Sequence, residues 1–350
     1  SYAISKIPVG DTYPPNPVEK IKSARITRLK AQGIIIEPLF YFKDPALKKV
    51  QFEDILIPTG DDQATINVRL YNHNATSHAS QEKKKVLIFY HGGGWIIGSA
   101  KENHILTAQI AKESEYLVVS VDYRLAPEHV FPAAVNDAYA GLEWVIEHIG
   151  EYGGDPSFII LSGESAGGNL AAAVTSRHLI NHAKRHCAVD DEKDLIESNT
   201  GLRECLATSE RFHGIRGLWL IYPPLTETSF SQEALRYDKV NNMLSTDKME
   251  WMRRIYQGGA NETNLELRRH YSFSPIRTPD IILSQYPPTL FTLAKHDVLT
   301  AESEEMAAKL RSVGRSATVS IYNSTVHGFV TGHISLGGKA VKEFIQYSKK

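Results

Sequence analysis

From residue 50 onward the chain alternates short apolar runs with segments whose apolar residues recur every three or four positions. "VQFEDILI" (50–57) and "TINVRLYN" (65–72) alternate apolar and polar side chains, the pattern of strands with one covered face. Later runs are short and mostly apolar: "VLIFY" (86–90), "YLVVSV" (116–121), "FIILS" (158–162), "GLWLIY" (217–222) and "TLFTLA" (289–294). Such runs suit strands of a parallel sheet covered on both faces. Between them, "PAAVNDAYAGLEWVIEHIG" puts Val135, Ala138, Tyr139, Leu142, Val145, Ile146 and Ile149 on one stripe, as in a helix that packs on a sheet. The pattern predicts an α/β protein with a mostly parallel central sheet flanked by helices.

Two stretches interrupt the alternation. Residues 181–213 are polar and read as an excursion or long loop, and residues 224–280 hold a helical "TDKMEWMRRIYQGG" between two strands. With residues 1–45, segment 224–280 is expected to form a helical cap over the carboxyl edge of the sheet, where open α/β sheets bind ligands. The core is then expected in two parts, 46–223 and 281–350. Within the first segment, "PVEKIKSARITRLKAQG" reads as a helix. Arg25 breaks its apolar face of Val18, Ile21, Ile26 and Leu29, so packing on the domain is expected rather than a basic membrane-surface helix.

Composition narrows the function classes. Of 350 residues 42% are hydrophobic and 23% charged, and the formal net charge is −1, with no basic block to neutralise a nucleic acid. No apolar stretch approaches the ~20 residues that span a bilayer, so no stable membrane insertion is expected. Cys187 and Cys205 form no metal-type Cys-x-x-Cys; they could bridge one local loop, but two free thiols in a reducing compartment are expected, which points to the cytoplasm. The chain begins at Ser1, which leaves a removed leader and secretion open. His178, His182 and His186 are spaced to share a helix face, yet with no carboxylate motif nearby a solvated helix end is expected and no metal.

The chemistry begins directly after "FIILS", where Gly163-Glu164-Ser165-Ala166-Gly167-Gly168-Asn169 leads into the helix-forming "LAAAVTSRHL". A sharp strand-to-helix turn holds Ser165 in a strained conformation and lifts its hydroxyl clear, while glycines two before and two after remove Cβ atoms that would collide. A serine needs a base at neutral pH. Asp297 follows "TLFTLA", and His327 follows "ATVSIY" (317–322), each just past a strand end and in the order nucleophile, acid, histidine. An oxyanion needs preorganised donors, and the amides of Gly93, Gly94 and Ala166 are the candidates, with "YHGGGW" (90–95) read as an anion cradle whose bare glycines admit the substrate oxygen. Trp95, Phe329 and the aromatics of "PLFYF" (38–42) line a pocket or belong to the core.

Together "HGGGW", "DYRLAPEHVFPAAVND" (122–137), "GESAGGN", the "HDVL" acid segment and "HGF" resemble the hormone-sensitive-lipase-like carboxylesterases of the α/β-hydrolase superfamily, from about residue 50 to the end. The resemblance implies Ser165 as nucleophile, His327 as base, Asp297 as its acid partner and no cofactor. It casts Arg124 and Glu128 as structural support near the site. The implied partner is a small-molecule ester of short to medium acyl chain, and a homodimer stays open. Glu164 stands where many relatives carry Asp or Thr, Val298 replaces a usual Pro, Ala301 stands where Asp is usual, and Glu302 matches a trailing glutamate. The alternatives are a non-catalytic receptor on the same fold, a class that typically lacks the histidine, and an amidase or lactonase with the same triad.

Overall fold

The computed structural model describes residues 17–32, 37–60, 64–72, 82–187, 202, 204–206, 214–227, 232–238, 243–259 and 264–349. Two helices, α1 (Pro17–Ala31) and α2 (Glu37–Lys43), precede the strands β1 (Gln51–Pro58), β2 (Thr65–Asn72) and β3 (Lys84–Tyr90). Then α3 (His104–Ser114), β4 (Leu117–Asp122), α4 (Ala133–His148), β5 (Gly154–Glu164), α5 (Ala166–His186) and β6 (Ile215–Ile221) alternate. After β6 come α6 (Gln232–Tyr237), α7 (Thr246–Tyr256), α8 (Leu265–Arg269) and α9 (Asp280–Leu283). The chain closes with β7 (Thr289–His296), α10 (Thr300–Ser312), β8 (Ala317–Val326), α11 (Phe329–Gly332) and α12 (Ile334–Tyr347).

The eight strands form one sheet in the order β1-β2-β4-β3-β5-β6-β7-β8. Pairs from β4 through β8 are parallel, and β2 runs antiparallel to both β1 and β4. The mostly apolar runs supply the parallel strands, and Leu87, Ile88, Val118, Val119, Leu161 and Phe291 are buried. Alternate residues face opposite layers. On β6, Trp219 stacks on Phe344 of α12 with ring centroids 4.3 Å apart, and Leu220 shares its face with Gly163, where α5 packs. The expected stripe on α4 is buried at Val135, Ala138, Tyr139, Leu142 and Val145.

Four expectations need correction. Arg25 does not spoil the packing face of α1 but makes it: its guanidinium donates to the carbonyls of Ile96 and Ala126 and to both oxygens of Glu128. Ile21, Arg25, Arg28 and Gln32 face the domain, while Ile26 and Leu29 face solvent. Second, Cys187 and Cys205 are disulfide-bonded, with Cα atoms 5.7 Å apart, since Cys205 lies beside the end of α5. Third, the excursion starts later than residue 181, since α5 continues to His186; most of the stretch 188–213 lies outside the described residues. The solvated helix end expected for the histidines of α5 is corrected too, since His178 and His182 are buried where α5 packs on the core; among the described residues no cluster of three or more metal-ligating side chains occurs. No described helix is long and apolar enough to cross a membrane.

Two buried imidazoles make stability depend on pH. Burial drives His91 down to about 4, with its Nδ1 at 2.9 Å from the Gly92 carbonyl, and burial followed by the nearby Arg69 charge drives His104 to about 4. In the unfolded chain both would take a proton near pH ~6.5. Their neutral forms therefore support the fold fully above that value, and the support is lost as pH falls from there toward 4, by at most ~1.4 kcal/mol per pH unit for each. We predict that the urea midpoint declines between about pH 6.5 and pH 4.5 and that His104→Gln shallows the decline; a profile unchanged by that substitution would exclude His104 as a source.

Candidate active site

β5 ends in a turn that only its glycines permit. Ser165 sits at φ 55° and ψ −120°, a strained backbone for a residue with a side chain, and its N–H donates to the Ile221 carbonyl of β6 at 2.8 Å. A Cβ on Gly167 would lie 1.9 Å from the Tyr90 carbonyl oxygen, and one on Gly163 would lie 2.2 Å from the Gly167 carbonyl. The start of α5 thus presses directly against the ends of β3 and β5, and Ser165 is the residue left standing above the sheet edge.

His327 follows β8 and reaches across two intervening strands. Its Nε2 is 2.9 Å from Ser165 Oγ and its Nδ1 is 2.6 Å from Asp297 Oδ2. Asp297, just after β7, is 1% exposed and also accepts from the Leu299 N–H at 3.1 Å. The three candidate side chains therefore form one hydrogen-bonded chain, in the order the sequence implied.

Gly92, Gly93 and Gly94 line the same cavity as Ser165 and His327, which has a volume of about 490 Å³. No described group accepts a hydrogen bond from the amides of Gly93, Gly94 or Ala166, leaving three donors beside the serine. Packing adds a reason for the glycines that the sequence did not show. Gly93 and Gly94 lie at φ +126° and +61°; a Cβ on the first would meet the Ile97 carbonyl at 1.9 Å, and on the second Met252 Sδ of α7 at 2.1 Å. A reverse turn and a helix packed above therefore also require the bare backbone. Trp95 is core, stacked on Tyr256 with centroids 4.5 Å apart, and Phe329 is likewise buried, while Leu39 and Phe40 of α2 reach the cavity wall.

Glu164, on the cavity wall, and Glu302 have partners the sequence left unassigned, and Arg124 takes the supporting place the resemblance implied. Glu164 accepts from the Tyr222 hydroxyl at 2.7 Å and from Thr331 Oγ1 at 2.8 Å, so it ties β5 to β6 and to α11, the helix that follows His327. Burial and the adjacent Glu164 push the Tyr222 phenol far up, which keeps it a donor. Glu302 Oε2 accepts from the N–H groups of Leu225 and Thr226 at 3.0 and 2.7 Å and lies 3.5 Å from Arg253 Nη2 of α7. Both ions of that last pair are buried, and burial pushes the carboxyl of Glu302 up. Arg124 donates to Asp137 through its backbone N–H, Nε and Nη2, at 2.8, 2.9 and 2.8 Å, so with Arg25–Glu128 it fixes the segment behind the glycine turn.

A family model of the alpha/beta hydrolase fold matches residues 87–331, the segment that carries Ser165, Asp297, His327 and the glycine turn. The chain belongs to the α/β-hydrolase family. Within it the chain falls in the hormone-sensitive-lipase-like carboxylesterase group. It is 31% identical over 258 residues to the carboxylic ester hydrolase LipN of Mycobacterium tuberculosis, covering 73% of this chain and 60% of that protein. To the carboxylesterase NlhH of the same organism it is 29% identical over 246 residues, 70% of this chain and 66% of the relative. The chain thus spans somewhat less than two thirds of the length of these curated relatives. An esterase of Pyrobaculum calidifontis superposes with a TM-score of 0.72 at 29% identity, covering 95% of this chain and 93% of that one. A thermostable esterase from Pseudomonas putida does so with a TM-score of 0.70 at 26% identity, covering 93% and 87%.

The turn of this hydrolase sets a sharp expectation. Gly167→Ala should cost at least about 3 kcal/mol in a denaturant titration, since backbone on both sides bars relaxation. Gly150→Ala, where an added Cβ meets nothing within 4 Å, should leave the midpoint unchanged. Equal tolerance of the two would mean that the turn does not press on β3 as described.

Proposed function

We propose that this chain is a serine carboxylesterase acting on esters of short to medium acyl chain. The observation that carries the reading is the Ser165–His327–Asp297 hydrogen-bonded chain opening into a cavity of about 490 Å³. Ser165 Oγ attacks the ester carbonyl while His327 Nε2 takes its proton; Asp297 holds the imidazole's tautomer and steadies the imidazolium. The amides of Gly93, Gly94 and Ala166 receive the developing oxyanion. His327 returns the proton to the departing alcohol, an acyl-enzyme remains, and a water molecule repeats the attack on it. In this reading α1, α2 and α6 to α8 make up a cap over the carboxyl edge, and the names of the relatives support ester hydrolysis. The cavity is of a size that suits a small substrate. A receptor that binds without turnover has no use for a histidine bonded to the serine, so the 2.9 Å contact favours catalysis over that alternative.

Hydrolysis of p-nitrophenyl butyrate is the test. Ser165→Ala should lower kcat by about 10⁴- to 10⁶-fold with the fold intact, and an unchanged rate would sink the assignment. Asp297→Asn should lower kcat by about 10⁴-fold with little change in KM, because the imidazole is then held in the wrong tautomer.

A further inference from the structure

The outer surface of α1 and α2 has no partner within the described protein. Phe42 is 85% exposed, Ile26 54%, Leu39 52% and Leu29 39%, and α2 buries none of its residues. Large apolar side chains this exposed, close together in sequence, mark a surface that something else covers. The inner surface already holds the fold, through Ile21, Arg25 and Arg28, and Leu39 reaches the cavity wall, so it is Phe42, Ile26 and Leu29 that serve no packing among the described residues.

Charge identifies the occupant. Residues 17–49 hold eight lysines and arginines against three acidic residues, in a chain whose formal net charge is −1. Arg25 and Arg28 are engaged with Glu128 and Glu102. Lys20, Lys22, Lys30, Lys43, Lys48 and Lys49 are exposed around the apolar side chains. Of the three acids, Glu19 pairs with Lys22 and Asp44 with Lys112. A second copy would bring the same positive surface against itself across a two-fold axis. Apolar side chains ringed by lysines match an interface of acyl chains beneath anionic headgroups.

We propose that α1 and α2 seat the protein on an anionic lipid surface, with Phe42, Ile26 and Leu29 entering the headgroup layer and the lysines meeting its charge. Thr27, Leu39 and Lys43 of the same two helices line the cavity, so the proposed contact lies beside its wall. The binding itself does not rest on the hydrolytic reading.

The experiment is co-sedimentation of the full chain with vesicles of phosphatidylcholine alone or with about one-third phosphatidylserine. Wild type should pellet with the anionic vesicles, release as salt rises toward about 0.5 M, and pellet little with phosphatidylcholine alone. Phe42→Ser together with Ile26→Ser should weaken partition by about tenfold or more, and Lys20→Glu with Lys30→Glu and Lys49→Glu should abolish it. Both variants should keep the wild-type circular dichroism spectrum and melting temperature, which separates lost binding from lost folding. Absence of binding to the anionic vesicles overturns the proposal, as does binding indifferent to either set of substitutions. A concentration-dependent dimer that Phe42→Ser dissolves, without vesicle binding, assigns the patch to a second copy and overturns it equally. Sedimentation is read without turnover, so an inactive Ser165→Ala protein that still pellets separates this proposal from the esterase reading.

Discussion

The whole site depends on one close approach of backbone to backbone. At the end of β5 the first turn of α5 lies against the Tyr90 carbonyl, and any side chain at Gly167 would occupy the same space. Because α5 cannot move away, Ser165 must take its positive φ, and its hydroxyl is held above the sheet edge rather than left to sample rotamers over a loose turn. The strain is held by burial on all sides, with Ala166, Leu170 and Ala171 fully enclosed. The histidine has a harder task, since its loop must span from β8 past β7 and β6. Glu164, Tyr222 and Thr331 supply the bridge, linking the residue before the serine to the helix after the histidine.

Much of this was legible in the sequence because the relevant signals are local. Every strand predicted from an apolar run is present, the stripe on α4 is buried, and Gly163, Ser165 and Gly167 fall at the strand-to-helix junction their spacing implied. That Asp297 and His327 meet Ser165 could be anticipated only from their order and their places after strands; the distances come from the parallel register of β5 to β8. What the sequence hid was partnership at long range. Arg25 looks like a flaw in an amphipathic helix until Glu128, more than one hundred positions away, comes beside it. The cysteines gave no spacing signal, and their pairing depends on the path of a polar segment whose pattern carries no register. Glu302 was recognisable by position, but nothing local reveals that it collects two backbone amides from the far side of β6.

The glycines of "HGGGW" show how a correct location can rest on an incomplete reason. They do line the cavity beside Ser165, as a cradle for an anion would, yet their missing side chains are demanded by the Ile97 carbonyl and by Met252 of α7. Sequence identifies where a bare backbone is needed; which neighbour needs it is a property of packing. The same holds for Trp95, an aromatic at the pocket's edge in sequence and in space, whose ring is committed to Tyr256 and Phe273.

Met252 rests on Gly94 from above, and the next residue, Arg253, carries a guanidinium buried against Glu302 of the core. Lifting α7 would part this buried ion pair together with the contact of Met252 on Gly94. The ceiling over the serine is therefore a fixed one. By contrast α2 has no fully buried residue, although Phe40 and Tyr41 pack against the core, so the N-terminal wall of the cavity is tied down less firmly than its ceiling.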